Sequence, residues 1–217
     1  MSQANNQPMI VYAIAAQKGG VGKTTQVTHL AVEAAKTLRV GLMDMDGQGS
    51  LSRWWNRRQA ATPLFFNAAL PTLRQSLEGI RQSKEIDALF IDTPPAISET
   101  MRQVITLADF VIIPTLASQD DLEAIVPTLQ MCNQLNKPHL IVLNQADRRI
   151  ITRESKAAIE QMGQAAKVSL SRLNSYAASR TDGRTAPELR PNSTAAYEVA
   201  ALWQVVKEAS QQGGFAA

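Results

Sequence analysis

Short apolar runs alternate along this chain with longer segments in which apolar residues recur every three or four positions. The runs lie at 9–16, 39–44, 87–92, 109–114 and 138–143, with weaker ones at 63–66 and 166–169. Each is read as a strand, and the amphipathic segments between them predict helices over 24–37, 49–58, 70–84, 98–107, 119–135, 152–162 and 193–210. Ser98 with Glu99, and Asp120 with Asp121, put capping or acidic residues where a helix start favours them. Strand and helix in alternation predict parallel strands joined by crossover helices. The expected fold class is α/β: a doubly wound, mostly parallel sheet flanked by helices, with ligands at the carboxyl ends of its strands.

Composition narrows the class. At 217 residues and 45% hydrophobic content the chain can bury a sizeable core as one domain, 1–217, with 1–8 and 211–217 expected as flexible ends. Net charge is only +3, so any nucleic-acid contact must come from local clustering of basic residues. The lone Cys132 cannot form an internal disulfide, which suits a reducing compartment. No stretch approaches the ~18 apolar residues of a membrane span, and residues 1–10 lack the charged start and apolar centre of a signal peptide. A cytoplasmic protein is expected.

The densest chemistry follows the first apolar run. Residues 17–24 read Gln-Lys-Gly-Gly-Val-Gly-Lys-Thr, between a strand and a helix. Gly19, Gly20 and Gly22 permit a tight turn whose N–H groups point inward, and the helix start adds its positive dipole end. This is a nest for phosphate oxygens, with Lys23 as cation and Thr24 as a hydroxyl ligand for Mg²⁺. The usual spacing has glycine where this chain has Gln17, and it lacks the extra lysine, Lys18. Lys23 already serves the phosphates of its own subunit, so Lys18 is free to reach a second subunit's nucleotide.

In these residues the chain resembles the ParA/MinD family of deviant Walker ATPases, in which a signature lysine crosses a dimer interface. The resemblance assigns Lys18 that role. It implies nucleotide binding by Gly19, Gly20, Val21, Gly22, Lys23, Thr24, Thr25 and Asn144, and catalysis by Lys18, Lys23 and Asp46. Further motifs carry it. Asp44-Met45-Asp46-Gly47-Gln48 is close to the family's Asp-x-Asp-Pro-Gln, with Gly47 in place of proline. By resemblance Asp46 lies near the γ-phosphate and Asp44 is structural. The strand ending Asp92-Thr93-Pro94-Pro95 supplies a Walker B acid, Asp92, which holds Mg²⁺ through water. Asn144-x-x-Asp147 permits two readings, guanine recognition as in GTPases or adenine contact by Asn144; Gln145 in place of lysine favours adenine, hence ATP.

Two basic clusters point to phosphate backbones: Arg148, Arg149, Arg153 and Lys156, and then Arg172, Arg180, Arg184 and Arg190. The second occupies the region that contacts DNA in ParA relatives, although Ser175 and Thr194 stand where some of them carry arginine. The stretch before the first strand is too short for a helix-turn-helix domain. The tail after 210 has no cationic stripe of the kind a membrane-targeting helix needs, and one cysteine excludes an iron-sulfur reductase of related fold. The resemblance thus implies an ATPase that dimerises on ATP, binds DNA nonspecifically on the nucleoid, and drives plasmid partition with a ParB-like centromere-binding partner that stimulates hydrolysis. The alternatives are the same engine with a cargo adaptor, positioning a chemoreceptor cluster or microcompartment, a MinD-like membrane-surface ATPase, and a metabolic ligase of this fold.

Overall fold

Consecutive apolar positions in the strands reflect a sheet covered on both faces. The computed structural model describes residues 8–147 and 153–212. In chain order it runs β1 (Ile10–Ile14), α1 (Lys23–Ala34), β2 (Val40–Asp44), α2 (Ser50–Arg57), β3 (Leu64–Phe65), α3 (Leu73–Ser83), β4 (Ala88–Asp92) and α4 (Glu99–Leu107). It continues with β5 (Phe110–Thr115), α5 (Gln119–Gln134), β6 (His139–Leu143), α6 (Arg153–Met162), α7 (Asn174–Ala178), α8 (Ala186–Leu189) and α9 (Thr194–Gln212). The sheet order is β3-β2-β4-β1-β5-β6 and every pairing is parallel.

Alternate residues of one strand feed two separate cores. Tyr12 and Ile14 of β1 join a cluster with Val27 and Leu30 of α1, Trp54 of α2 and Leu202 of α9. Val11 and Ala13 face the opposite layer, with Leu77 of α3, Val104 of α4, Ile125 of α5 and Ile159 of α6. Tyr12 stacks on Phe90 at 4.9 Å between centroids and meets Trp203 edge-on at 5.8 Å, while its hydroxyl bonds Ser210 Oγ at 3.0 Å. This pins the last helix to the centre of the sheet. Cys132 is buried on α5, and burial pushes its thiol up to about 12. No helix among the described residues is long and apolar enough to cross a membrane.

Three elements differ from expectation. The run at 166–169 forms no strand. The chain does travel beside β6, bridging it at Ile141 through Ala165 and bridging Ala146, just beyond it, through Ser171. Between the bonds from Ala166 N to Ile141 O and from Leu170 N to Leu143 O it advances four residues against two of β6, so the surplus bulges out and the ladder breaks. The short helices α7 and α8 were not legible, since neither is long enough to display a helical period.

They are held by tertiary contacts instead. From α2, Trp54 Nε1 donates to Arg184 O at 3.0 Å and Arg58 Nη1 to Gly183 O at 2.9 Å, while Arg58 pairs with Glu188 at 2.7 and 3.0 Å. Gly183 has φ 78°, and a Cβ there would lie 2.3 Å from Arg58 N, so only glycine allows the approach. On α1, the fully buried His29 donates from Nδ1 to Thr25 O at 2.8 Å and accepts the Ala186 N–H on Nε2 at 3.0 Å.

That accepting nitrogen makes His29 a neutral ring, and burial lowers its pKa to about 4. Unfolded, the ring titrates near 6.5. The unfolded state therefore binds more protons between these values, and the His29 contribution, about 3 kcal/mol at most, is present above pH 6.5 and lost as pH falls towards 4. Urea denaturation at pH 7 and pH 4.5 should show a larger loss in the wild type than in His29→Gln, and equal losses would remove His29 as the cause.

Candidate functional site

Because all the strands are parallel, their carboxyl ends share one edge, and the register aligns them. Ile14 of β1 and Asp44 of β2 both pair with Asp92 of β4. The chain leaves β1 and turns through 15–22 into α1, capped by Gly22. Gly20 and Gly22 have φ of 78° and 96°, the left-handed region that glycine enters without steric cost. Space also demands Gly22, since a Cβ there would lie 1.9 Å from Asn144 Nδ2.

Asn144, at the end of β6, is nearly buried. Its Nδ2 donates to Val21 O at 2.7 Å, and its Oδ1 accepts from Gln145 N at 3.0 Å. Gln145, itself at φ 49°, donates from Nε2 to Gly20 O at 3.0 Å. Both side chains brace the loop's carbonyls, which leaves its N–H groups to face a ligand.

Lys23 is buried at the loop's end, with Nζ donating to Lys18 O at 3.3 Å; burial lowers its pKa, opposed by Asp92 and Asp46. Thr24 Oγ1 donates to Asp92 Oδ2 at 2.6 Å. Asp92 is fully buried, and its Oδ1 has no partner. Burial pushes its carboxyl up to about 7. An orphaned carboxylate oxygen beside a threonine hydroxyl fits a hard divalent cation such as Mg²⁺, which takes few protein ligands and keeps its waters.

At β2, Asp44 accepts the Asp46 N–H at 3.1 Å and both Ser52 N and Oγ at 2.8 Å. It ties the turn to the start of α2, the structural part expected of it. Asp46 Oδ1 accepts Gln48 N at 2.9 Å and keeps its place in the cavity wall.

These parts border a cavity of about 530 Å³. Gly19, Gly20, Gly22, Lys23, Thr24, Thr25, Asp46 and Asn144 line it, while Val21 is buried behind the loop. Lys18 is outside the lining. It is 44% exposed and pairs with Asp121 at 2.5 Å, a bond that raises its pKa; Asp121 is held in turn by Ser118, the cap of α5. Of the arginines read as DNA contacts, Arg172 and Arg180 line this cavity, Arg184 pairs with Asp182 at 2.6 Å, and Arg190 is exposed. The sequence reading missed Arg53 and Gln145 in the lining. Arg148 and Arg149, and the side chains of Arg153 and Lys156, lie outside the described residues.

A glycine loop bedded between strand and helix, with a buried lysine and a strand-end acid under its threonine, defines a P-loop nucleotide-binding protein. Residues 12–183 match the CobQ/CobB/MinD/ParA nucleotide binding domain, and the chain belongs to that family. The maintenance of carboxysome distribution protein A of Gloeobacter kilaueensis is 35% identical over 151 residues, covering 69% of this chain and 68% of that protein. The chromosome partitioning protein ParA of Caulobacter vibrioides is 29% identical over 191 residues, covering 65% of this chain and 72% of that one. The solved MinD cell division protein of Aquifex aeolicus superposes with a TM-score of 0.78 at 14% identity, over 92% of this chain and 97% of that one, a likeness of fold.

The bonds of Asn144 generate a test of its role. Removing its amide leaves Val21 O without that donor, a loss of about 1–3 kcal/mol for a buried group. Asn144→Ala should weaken binding of ATP, GTP and inorganic tripolyphosphate alike in calorimetric titrations. A loss confined to ATP would make Asn144 a reader of adenine instead.

Proposed function

We propose that this protein is an ATP hydrolase that dimerises on ATP, binds DNA without sequence preference and uses the cycle to position a cargo, most directly a plasmid handed to it by a ParB-like adaptor. The observation that carries this reading is Lys18. It sits at the start of the phosphate loop, outside the lining of its own subunit's cavity, and among the described residues it pairs with the buried Asp121 at the start of α5. The phosphates of its own subunit are served by Lys23, so an exposed ammonium that can exchange Asp121 for another anion suits a nucleotide bound in a facing second copy.

In this reading the loop N–H groups and Lys23 hold the β- and γ-phosphates. Asp46 orients the attacking water, and Lys18 of the opposite subunit meets the charge that develops on the γ-phosphate. Thr24 and, through water, Asp92 hold Mg²⁺, which when bound neutralises phosphate charge. Exchanging Lys18–Asp121 for a contact across the interface is a local charge event with a dimeric readout. A partner that stimulates turnover then sets the lifetime of the dimer, and the nucleoid is the natural matrix.

A second reading has its own support. The 35%-identical relative is named for carboxysome distribution, so a protein body can take the plasmid's place as cargo with the same engine.

Binding to random-sequence duplex DNA should require ATP, fail with ADP or no nucleotide, and weaken steeply with salt. Lys18→Gln should lose it while still binding ATP as a monomer; DNA binding by that variant at the wild-type level would sink the cross-subunit role. Asp121→Asn should shift ATP-dependent dimerisation, read by sedimentation, to several-fold lower protein concentration, as expected when that ion pair no longer competes for Lys18. An unchanged or weaker dimer would mean that Asp121 does not restrain Lys18.

A further inference from the structure

The cavity wall holds more positive charge than a phosphate loop requires. Besides Lys23 it carries Arg53, Arg172 and Arg180 against the single acid Asp46. Arg53 is already engaged, donating to Gln48 O at 2.5 Å. Arg172 is exposed at the rim. Arg180 is different. It is half-buried, its guanidinium has no hydrogen-bond or ion-pair partner among the described residues, and its backbone is fixed because its carbonyl accepts Arg57 Nη1 at 3.3 Å. A guanidinium drawn partly out of water with nothing to donate to is costly, and the cost falls when an anion enters beside it.

Its neighbours in the cavity point to which anion. Lys23 and Asp46 mark the γ-phosphate end. Arg180 lines the same cavity one turn beyond Tyr176 and lies close enough to the buried His29, on the second turn of α1, for its charge to oppose protonation of that ring. Thr25, whose carbonyl holds His29, lines the same cavity. We propose that Arg180 is a nucleotide-contacting residue, whose guanidinium bonds the α-phosphate of the bound nucleotide instead of a DNA phosphate. This rests on the nucleotide reading of the cavity and adds to it a contact that ATP and ADP share, so Arg180 supports both states of the cycle while Lys18 responds only to one.

The test is calorimetric titration of ATP and of ADP, each with Mg²⁺ and without DNA, into wild type, Arg180→Met and Arg180→Lys. Arg180→Met should weaken both nucleotides together by about ten- to hundredfold, the worth of a hydrogen bond between charged groups. Arg180→Lys should recover part of the loss, and its melting point without nucleotide should match the wild type. Unchanged affinity for both nucleotides in either folded variant overturns the assignment. So does a loss for ATP alone, which would place the guanidinium on the γ-phosphate, and so does a loss of DNA binding with nucleotide affinity intact. A wild type that binds neither nucleotide would overturn the reading of the cavity itself, a result distinct from the others.

Discussion

A carboxylate with no access to water organises this molecule. Asp92 ends β4, flanked by β2 and β1, where burial raises the cost of its charge and only one of its oxygens has a donor. That donor is Thr24, the second residue of α1. The bond therefore joins the helix that opens at the phosphate loop to the centre of the sheet, and the residual cost is one that a cation bound there would relieve. The neighbouring strand ends inherit their places from the parallel register around Asp92.

Around this anchor the cavity is closed by contacts between elements far apart in sequence. Asn144 and Gln145 brace the loop from β6. Asp44 fixes the start of α2 through Ser52, and α2 grips the carbonyls of Arg180, Gly183 and Arg184. His29 then ties α1 to the start of α8. The segment that carries the arginines is thus held from both α1 and α2, the two elements that leave the phosphate-facing turns. Tight packing of this kind transmits displacement instead of absorbing it.

Local signals in the sequence were sufficient where the physics is local. Gly20 and Gly22 adopt the left-handed turn for which glycine is suited, and the apolar runs at 9–16, 87–92 and 109–114 became the interior strands β1, β4 and β5 because consecutive apolar residues need cover on both faces. The same logic failed at 166–169, where an apolar run beside β6 carries too many residues for the ladder it accompanies. It failed again at α8, held by Trp54, Arg58 and His29, and at α7, held through Tyr176 against His29 and Glu198, neither of which shows a periodicity of its own.

The sequence by itself determined the phosphate loop, the strand-end acids and the alternation that makes the sheet parallel, since each depends on residues close together in the chain. Only the tertiary structure decided the direction of the long side chains. Lys18 turns to Asp121, Asn144 turns to the loop's own carbonyl, and Arg172 and Arg180 turn into the nucleotide cavity. The partners of Lys18 and Asn144 lie 103 and 123 residues away, and a flexible side chain takes its orientation from whatever charge or donor the fold brings within reach.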